Sequence, residues 1–247
     1  MKIALVTGAS RGIGRATALL LAQQGYAVGV NYLNNDIAAQ SVIDEIHQAG
    51  GKAIALKADI ADEVQVVAMF RQLSAELGPV TALVNNAGIL FQQTTLENLS
   101  AERINKVLST NVTGYFLCCR EAVKIMSHRH GGKGGAIVNV SSAASRLGAP
   151  GEYVDYAASK GAVDTLTTGL ALEVAAYGIR VNCVRPGLIY TDMHASGGEP
   201  GRVDRVKSNL PMQRGGQPEE VAQGIAWLLS DAASYVTGSF IELAGGR

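Results

Sequence analysis

The stretch Ile3-Ala-Leu-Val-Thr-Gly-Ala-Ser-Arg-Gly-Ile-Gly14 decides the fold. Its first four residues are continuously apolar, as in a strand buried on both faces. The next eight hold three glycines (Gly8, Gly12 and Gly14), and a helix-like pattern continues to about position 25. A strand that passes through a glycine-rich turn into a helix offers free backbone N–H groups and a positive helix end to a pyrophosphate. Such a turn is a weak signal alone. Its position between strand and helix gives it weight.

The same alternation runs outward along the whole chain. Short apolar or β-branched runs predict strands at about 2–6, 27–31, 53–57, 81–84, 135–140, 179–184 and 238–243. Helices are predicted near 12–25, 36–50, 62–77, 101–129, 152–177 and 218–230. Ala82-Leu-Val84 and Ala136-Ile-Val138 are apolar throughout, which suits a parallel sheet covered on both sides. Gly25, Gly50 with Gly51, Gly78 and Gly178 stand where helices should end. No repeat or long linker divides the chain. The expected fold is α/β: one doubly wound Rossmann domain over residues 1–247, about seven parallel strands with helices on both faces. An irregular stretch at about 188–216, rich in Gly, Ser and Pro, follows the sixth strand and is expected to act as a substrate lid.

Composition narrows the function classes. The 247 residues are 47 % hydrophobic and 17 % charged, enough to bury one sizeable core. A formal net charge of zero, without a long basic run, argues against nucleic-acid binding. No run approaches the ~18 apolar residues of a membrane span, so no membrane partner is expected. The first strand begins almost at once, with no signal-peptide pattern, and the odd set Cys118, Cys119 and Cys183 does not suggest disulfides. The chain is expected to be cytoplasmic. His128 and His130, two apart, do not share a helical face, so no metal site is expected there. Trp227 reads as core, and Cys118 and Cys119 as helix packing at or near a subunit surface.

A second motif, Tyr156-Ala-Ala-Ser-Lys160, places a phenol and an ammonium at i and i+4 on one helical face. A protonated Lys beside a Tyr favours the phenolate and draws the phenol toward neutrality. Tyr153 is close by, but four residues further on it meets Ala157, so only Tyr156 has its Lys.

The spacing Gly8-x3-Gly12-x-Gly14 resembles the T-G-x3-G-x-G turn of the short-chain dehydrogenase/reductase (SDR) family. Asn85-Asn-Ala-Gly88 resembles that family's N-N-A-G motif, and Pro186-Gly187 with Thr191 resembles its P-G segment after the sixth strand. The resemblance spans essentially the whole chain. It implies that Gly8, Ser10, Arg11, Gly12, Ile13 and Gly14 hold a nicotinamide dinucleotide, with Asp59 and Ile60 near the adenine. It further places Asn86, Ala87, Gly88, Pro186, Gly187 and Thr191 at the cofactor. Enzymes that use NAD need a carboxylate about 20 residues past the glycines, to accept from the ribose hydroxyls. That count reaches Leu33 and Asn34, and Asp36, slightly later, reads as a helix cap. Arg11 is placed to pair with a 2′-phosphate. The expected cofactor is therefore NADP, with NAD possible.

By the same resemblance, Asn111, Ser142, Tyr156 and Lys160 match the family's catalytic tetrad. Tyr156 is the implied proton donor and acceptor, and Lys160 its partner and a ribose ligand. Ser142 is the implied oxyanion donor, with Ser141 a packed neighbour, and Asn111 the holder of a water leading to Lys160. These residues imply reversible hydride transfer between a carbonyl and a secondary alcohol. The small-molecule substrate is open between a 3-oxoacyl thioester, a sugar or polyol and a small ketone. Tyr177 stands where carrier-dependent reductases often have Arg, which counts mildly against the thioester. His194, inside the lid segment, is a possible substrate contact. The alternative reading is a non-catalytic nucleotide-sensing regulator; retention of both Tyr and Lys counts against it. The family habit implies a homodimer or homotetramer through the two long helices.

Overall fold

The computed structural model describes residues 1–247. The strands are β1 (Ile3–Val6), β2 (Ala27–Tyr32), β3 (Lys52–Lys57), β4 (Ala82–Asn85), β5 (Gly135–Val140), β6 (Ile179–Pro186) and β7 (Phe240–Leu243). All pair in parallel, in the order β3-β2-β1-β4-β5-β6-β7. Every residue of β1, β2 and β4 is buried, which is why these strands read as apolar runs, broken only by Asn31 in β2 and Asn85 at the end of β4.

The helices are α1 (Gly12–Gln23), α2 (Asp36–Gln48), α3 (Glu63–Glu76), α4 (Ala101–Leu108), α5 (Gly114–Met126), α6 (Ala144–Leu147), α7 (Val154–Val174), α8 (Met193–Ser196), α9 (Arg202–Val206) and α10 (Pro218–Leu229). Two apolar layers cover the sheet. Side chains of α3, α5 and α7 pack on one face, and those of α1, α2 and α10 on the other. The strand order reverses between β1 and β4, so the carboxyl ends of these strands open a crevice where a doubly wound sheet binds its ligand.

Helix ends follow local chemistry. Asn35, Asp62 and Ser100 each accept from an N–H in the first turn of α2, α3 and α4. Asp36 is thus not the cap expected from sequence; it is the first residue of α2, and its carboxylate pairs with Lys57 and Tyr32. Of the predicted helix-ending glycines, Gly25, Gly50, Gly78 and Gly178 adopt positive φ, and Gly51 does not. At Gly178 the absent side chain also matters, because a Cβ would lie 2.3 Å from the His128 ring.

Three further expectations change. The helix predicted at about 101–129 is α4 and α5 joined by a π-helical turn, Ser109–Thr113. Trp227 on α10 is not core; it is 43 % exposed, while Ile225, Ala226 and Leu228 turn inward. Cys118 and Cys119 lie inside the apolar layer rather than at a surface. Burial pushes both thiols up, that of Cys119 to about 12.

Candidate active site

The crevice begins at the glycine turn. Gly8 (φ 62°) and Gly12 (φ 54°) occupy the left-handed region. At Gly14 a Cβ would sit 2.3 Å from the Gly8 carbonyl oxygen and 2.5 Å from Asn86 Nδ2, so no larger residue fits. Arg11 precedes α1 without a side-chain cap, so the first-turn N–H groups stay unclaimed, as at an anion-binding helix start.

Two buried polar side chains hold the turn. Thr7 Oγ1 accepts from the N–H groups of Asn86 and Ala87, at 2.9 and 3.1 Å, joining the ends of β1 and β4. Asn31 Oδ1 accepts from the Gly8 N–H at 3.2 Å, while its amide donates to the carbonyls of Leu56 and Ala58. Sequence reasoning missed Asn31; the available signal was one polar residue in the otherwise apolar run Ala27–Tyr32.

Above the turn lies a cleft of about 620 Å³. Gly8, Ser10, Arg11, Gly12 and Ile13 line one side, Asp59 and Ile60 the end, and Asn86, Ala87 and Gly88 the other side. Past β2 the lining is Tyr32, Leu33, Asn34 and Asn35, with no carboxylate among them. Asp59 Oδ1 accepts from the Ala61 N–H at 2.9 Å, and the cap of α3 is Asp62. The uncapped helix start, the Cβ-free turn and the cleft's size fit a dinucleotide.

A second cavity of about 160 Å³ shares Ile13, Asn86, Thr191 and Met193 with the cleft. It gathers Ser142, Tyr156, Lys160, Pro186, Gly187 and Thr191. Strand β6 delivers Pro186, and Thr191 packs over the turn, its Cγ2 3.4 Å from where a Gly12 Cβ would be. Ser142 follows β5; Tyr156 and Lys160 stand on α7. Ser141, the alternative serine, is buried and donates to the Lys160 carbonyl at 3.1 Å. Within the lid segment, His194 also borders the cavity, with Nε2 2.9 Å from the Ile189 carbonyl.

Lys160 is 2 % exposed, and Nζ donates to the Val140 carbonyl at 2.8 Å and to the Tyr115 hydroxyl at 3.3 Å. Burial drives this ammonium down to about 8. Burial pushes the Tyr156 phenol up to about 12, against the opposing pull of the Ser142 hydroxyl. Nζ lies 5.7 Å from the centre of the Tyr156 ring. The sequence expectation of a phenol drawn toward neutrality is therefore outweighed by desolvation in the protein itself. Tyr115, fully buried and shared between Lys160 and Val140, is a second site residue the sequence did not disclose.

Asn111 does not line either cavity. The π-helical turn carries it behind Lys160, where Oδ1 accepts from the Ile89 N–H at 2.8 Å. Its Nδ2 donates to the Ile89 carbonyl and to Ser159 Oγ. Gly88, after β4, lies beside both: a Cβ there would meet Asn111 Oδ1 at 3.5 Å and Lys160 Nζ at 3.6 Å, ordinary contact distances.

Comparison with known proteins agrees with this geometry. A family model described as enoyl-(acyl carrier protein) reductase matches residues 8–247. The chain is 78 % identical over 247 residues, all of both proteins, to the uncharacterized oxidoreductase YgfF of Escherichia coli (strain K12). It is 39 % identical over 245 residues to the 3-oxoacyl-(acyl-carrier-protein) reductase FabG of Staphylococcus aureus (strain Mu50), covering 99 % of this chain and 97 % of that protein. A solved dehydrogenase/reductase from Sinorhizobium meliloti 1021 superposes with a TM-score of 0.91 at 36 % identity, covering 99 % of this chain and 94 % of that one. With strand order, glycine turn and whole-length similarity in accord, the chain belongs to the short-chain dehydrogenase/reductase family, oxidoreductases acting on CH–OH groups with NAD(P).

Proposed function

We propose that the protein interconverts a carbonyl compound and a secondary alcohol with NADP(H), using Tyr156 as proton donor and acceptor. The observation that carries this reading is the convergence of Ser142, Tyr156 and Lys160 where the small cavity meets the dinucleotide cleft. The bound nicotinamide supplies or takes the hydride at the substrate carbon.

The protein's own residues handle the oxygen. Ser142 donates a hydrogen bond as negative charge develops there. Tyr156, protonated at neutral pH because it is buried, gives its proton to that oxygen in reduction and takes it back in oxidation. Lys160 steadies the anionic Tyr156 and holds the nicotinamide ribose; Asn111, behind it, carries the proton relay toward solvent. A regulator without turnover would not need this set, and no observation favours that alternative.

NADP is preferred to NAD because Asp36, the nearest acid after β2, is engaged by Lys57, while Arg11 lines the cleft with no ion-pair partner. Asp59, Ile60, Gly187 and Thr191 complete the cofactor contacts. The segment around 188–216 serves as the lid over the substrate. The remaining readings are a cytoplasmic protein and a homodimer or homotetramer through α5 and α7, whose Phe116 and Leu172 are 51 % and 81 % exposed. No helix is long and apolar enough to cross a membrane. Light scattering of the Leu172→Glu variant tests the assembly: a mass unchanged from the parent's removes α7 from the interface.

The deciding experiment follows NADPH consumption with an acetoacetyl thioester and with small ketones and sugars, alongside Tyr156→Phe. Turnover lost at least 100-fold in the variant, with NADPH binding retained, supports the reading. A variant as active as the parent refutes the role of Tyr156.

A further inference from the structure

The polar end of the small cavity is built by two residues the family motifs do not include. Glu152, just before α7, and Arg202, which opens α9, both line it and form an ion pair. The two side chains are 30 % and 16 % exposed, and the guanidinium lies 5.2 Å from the Tyr153 ring centre. Arg202 Nε is buried and has no acceptor. Other polar groups at this end are already engaged: Tyr153 donates to the Gly197 carbonyl, and His194 Nε2 meets the Ile189 carbonyl. Arg247 also borders the cavity, Ser142, Tyr156 and Lys160 hold its catalytic end, and Leu90, Leu147, Leu188 and Met193 supply apolar wall between.

From this arrangement we infer that the enzyme selects a short, uncharged carbonyl substrate bearing a second oxygen, a hydroxyketone, which the Glu152–Arg202 pair binds. The inference rests on the carbonyl-reducing reading above. Three features support it. The cavity, about 160 Å³, is of the size that admits a benzene-sized group. The ion pair neutralises both charges, so a carboxylate meets Glu152 and an ammonium meets Arg202; a neutral hydroxyl can donate to one and accept from the other. The orphan Nε–H, itself closed off from the cavity, leaves the guanidinium under-satisfied, so a substrate oxygen that bonds its accessible nitrogens relieves a group the protein does not fully pair.

The test uses three ketones of one shape: 4-hydroxy-2-butanone, 2-pentanone and the anion acetoacetate, each with NADPH. The hydroxyketone should exceed both others in kcat/KM by about tenfold or more, because a site built to bond a hydroxyl rejects its methyl analogue. In Arg202→Met that ratio should collapse toward one. In the nearly isosteric Glu152→Gln, freeing the guanidinium should raise acetoacetate about tenfold relative to the hydroxyketone. NADPH binding by fluorescence confirms that each variant is folded. The inference is overturned if the parent reduces 2-pentanone or acetoacetate as well as the hydroxyketone. Turnover of an acetoacetyl thioester alone also overturns it, while leaving the carbonyl reading intact. Failure to oxidise NADPH with any carbonyl refutes both.

Discussion

Arg103 and Asp155 form a two-point ion pair, Nε to Oδ2 at 2.8 Å and Nη2 to Oδ1 at 3.3 Å, one residue before Tyr156. The carboxylate side chain is 3 % exposed and the guanidinium 16 %. Arg103 also donates to the Gln92 carbonyl at 2.7 Å, tying the loop after β4 to the start of α7. Arg103→Met strands a buried carboxylate and should destabilise the fold by about 3 kcal/mol. Urea unfolding measures this; a loss under about 1 kcal/mol would show the carboxylate finding water or another donor. Arg103→Met combined with Asp155→Leu should recover most of the loss.

Gly14→Ala adds one methyl where the Gly8 carbonyl and Asn86 Nδ2 leave no room. The turn must shift, and its N–H groups shift with it. NADPH affinity should fall at least tenfold, about 1.4 kcal/mol, as read by fluorescence titration. Unchanged affinity would mean that the turn does not bind the phosphates.

Arg11→Ala distinguishes the two cofactors. A charge-assisted contact to the 2′-phosphate contributes about 1.5–3 kcal/mol, so NADPH binding should weaken about tenfold or more while NADH binding stays nearly constant. Equal weakening of both would place Arg11 elsewhere on the nucleotide.

The buried titrating groups set a pH dependence with opposite signs for the two directions. Lys160, lowered to about 8, loses its charge above that pH, and with it the cation beside Tyr156. Ketone reduction should therefore be flat near neutrality and decline above about pH 8. Alcohol oxidation needs Tyr156 as a proton acceptor, so with the phenol raised to about 12 it should climb toward about pH 8, above which loss of the Lys160 charge that steadies the phenolate opposes further gain. Steady-state rates in both directions provide the check, and a reduction rate that rises with pH would contradict this assignment.

The sheet was legible because its strands are buried on both sides and its helices end on glycines; both properties are local. Tyr156 and Lys160 were legible because one helical turn puts them on one face. Asn31 and Tyr115 were not, since each acts through groups distant along the chain: Gly8, Leu56 and Ala58 for one, Val140 and Lys160 for the other. The π-helical turn was hidden for the same reason. It carries Asn111, whose bonds to Ile89 and Ser159 reach across the chain, and no periodicity records them. Trp227 misled because an aromatic flanked by aliphatics looks internal whether or not its own face is covered.

Asn31 has a consequence for how this enzyme can change. One amide anchors the glycine turn to the ends of β2 and β3, from the floor of the cleft. Tyr32 to Asn35, which line the cleft, begin immediately after it and take no part in that anchoring. Arg11 sits in the turn but Tyr32 to Asn35 lie outside it, so the β2 side of the cleft can change while Thr7 and Asn31 still hold the turn. An acid introduced after β2 can redirect cofactor preference while the grip survives, provided Asn31 is left in place.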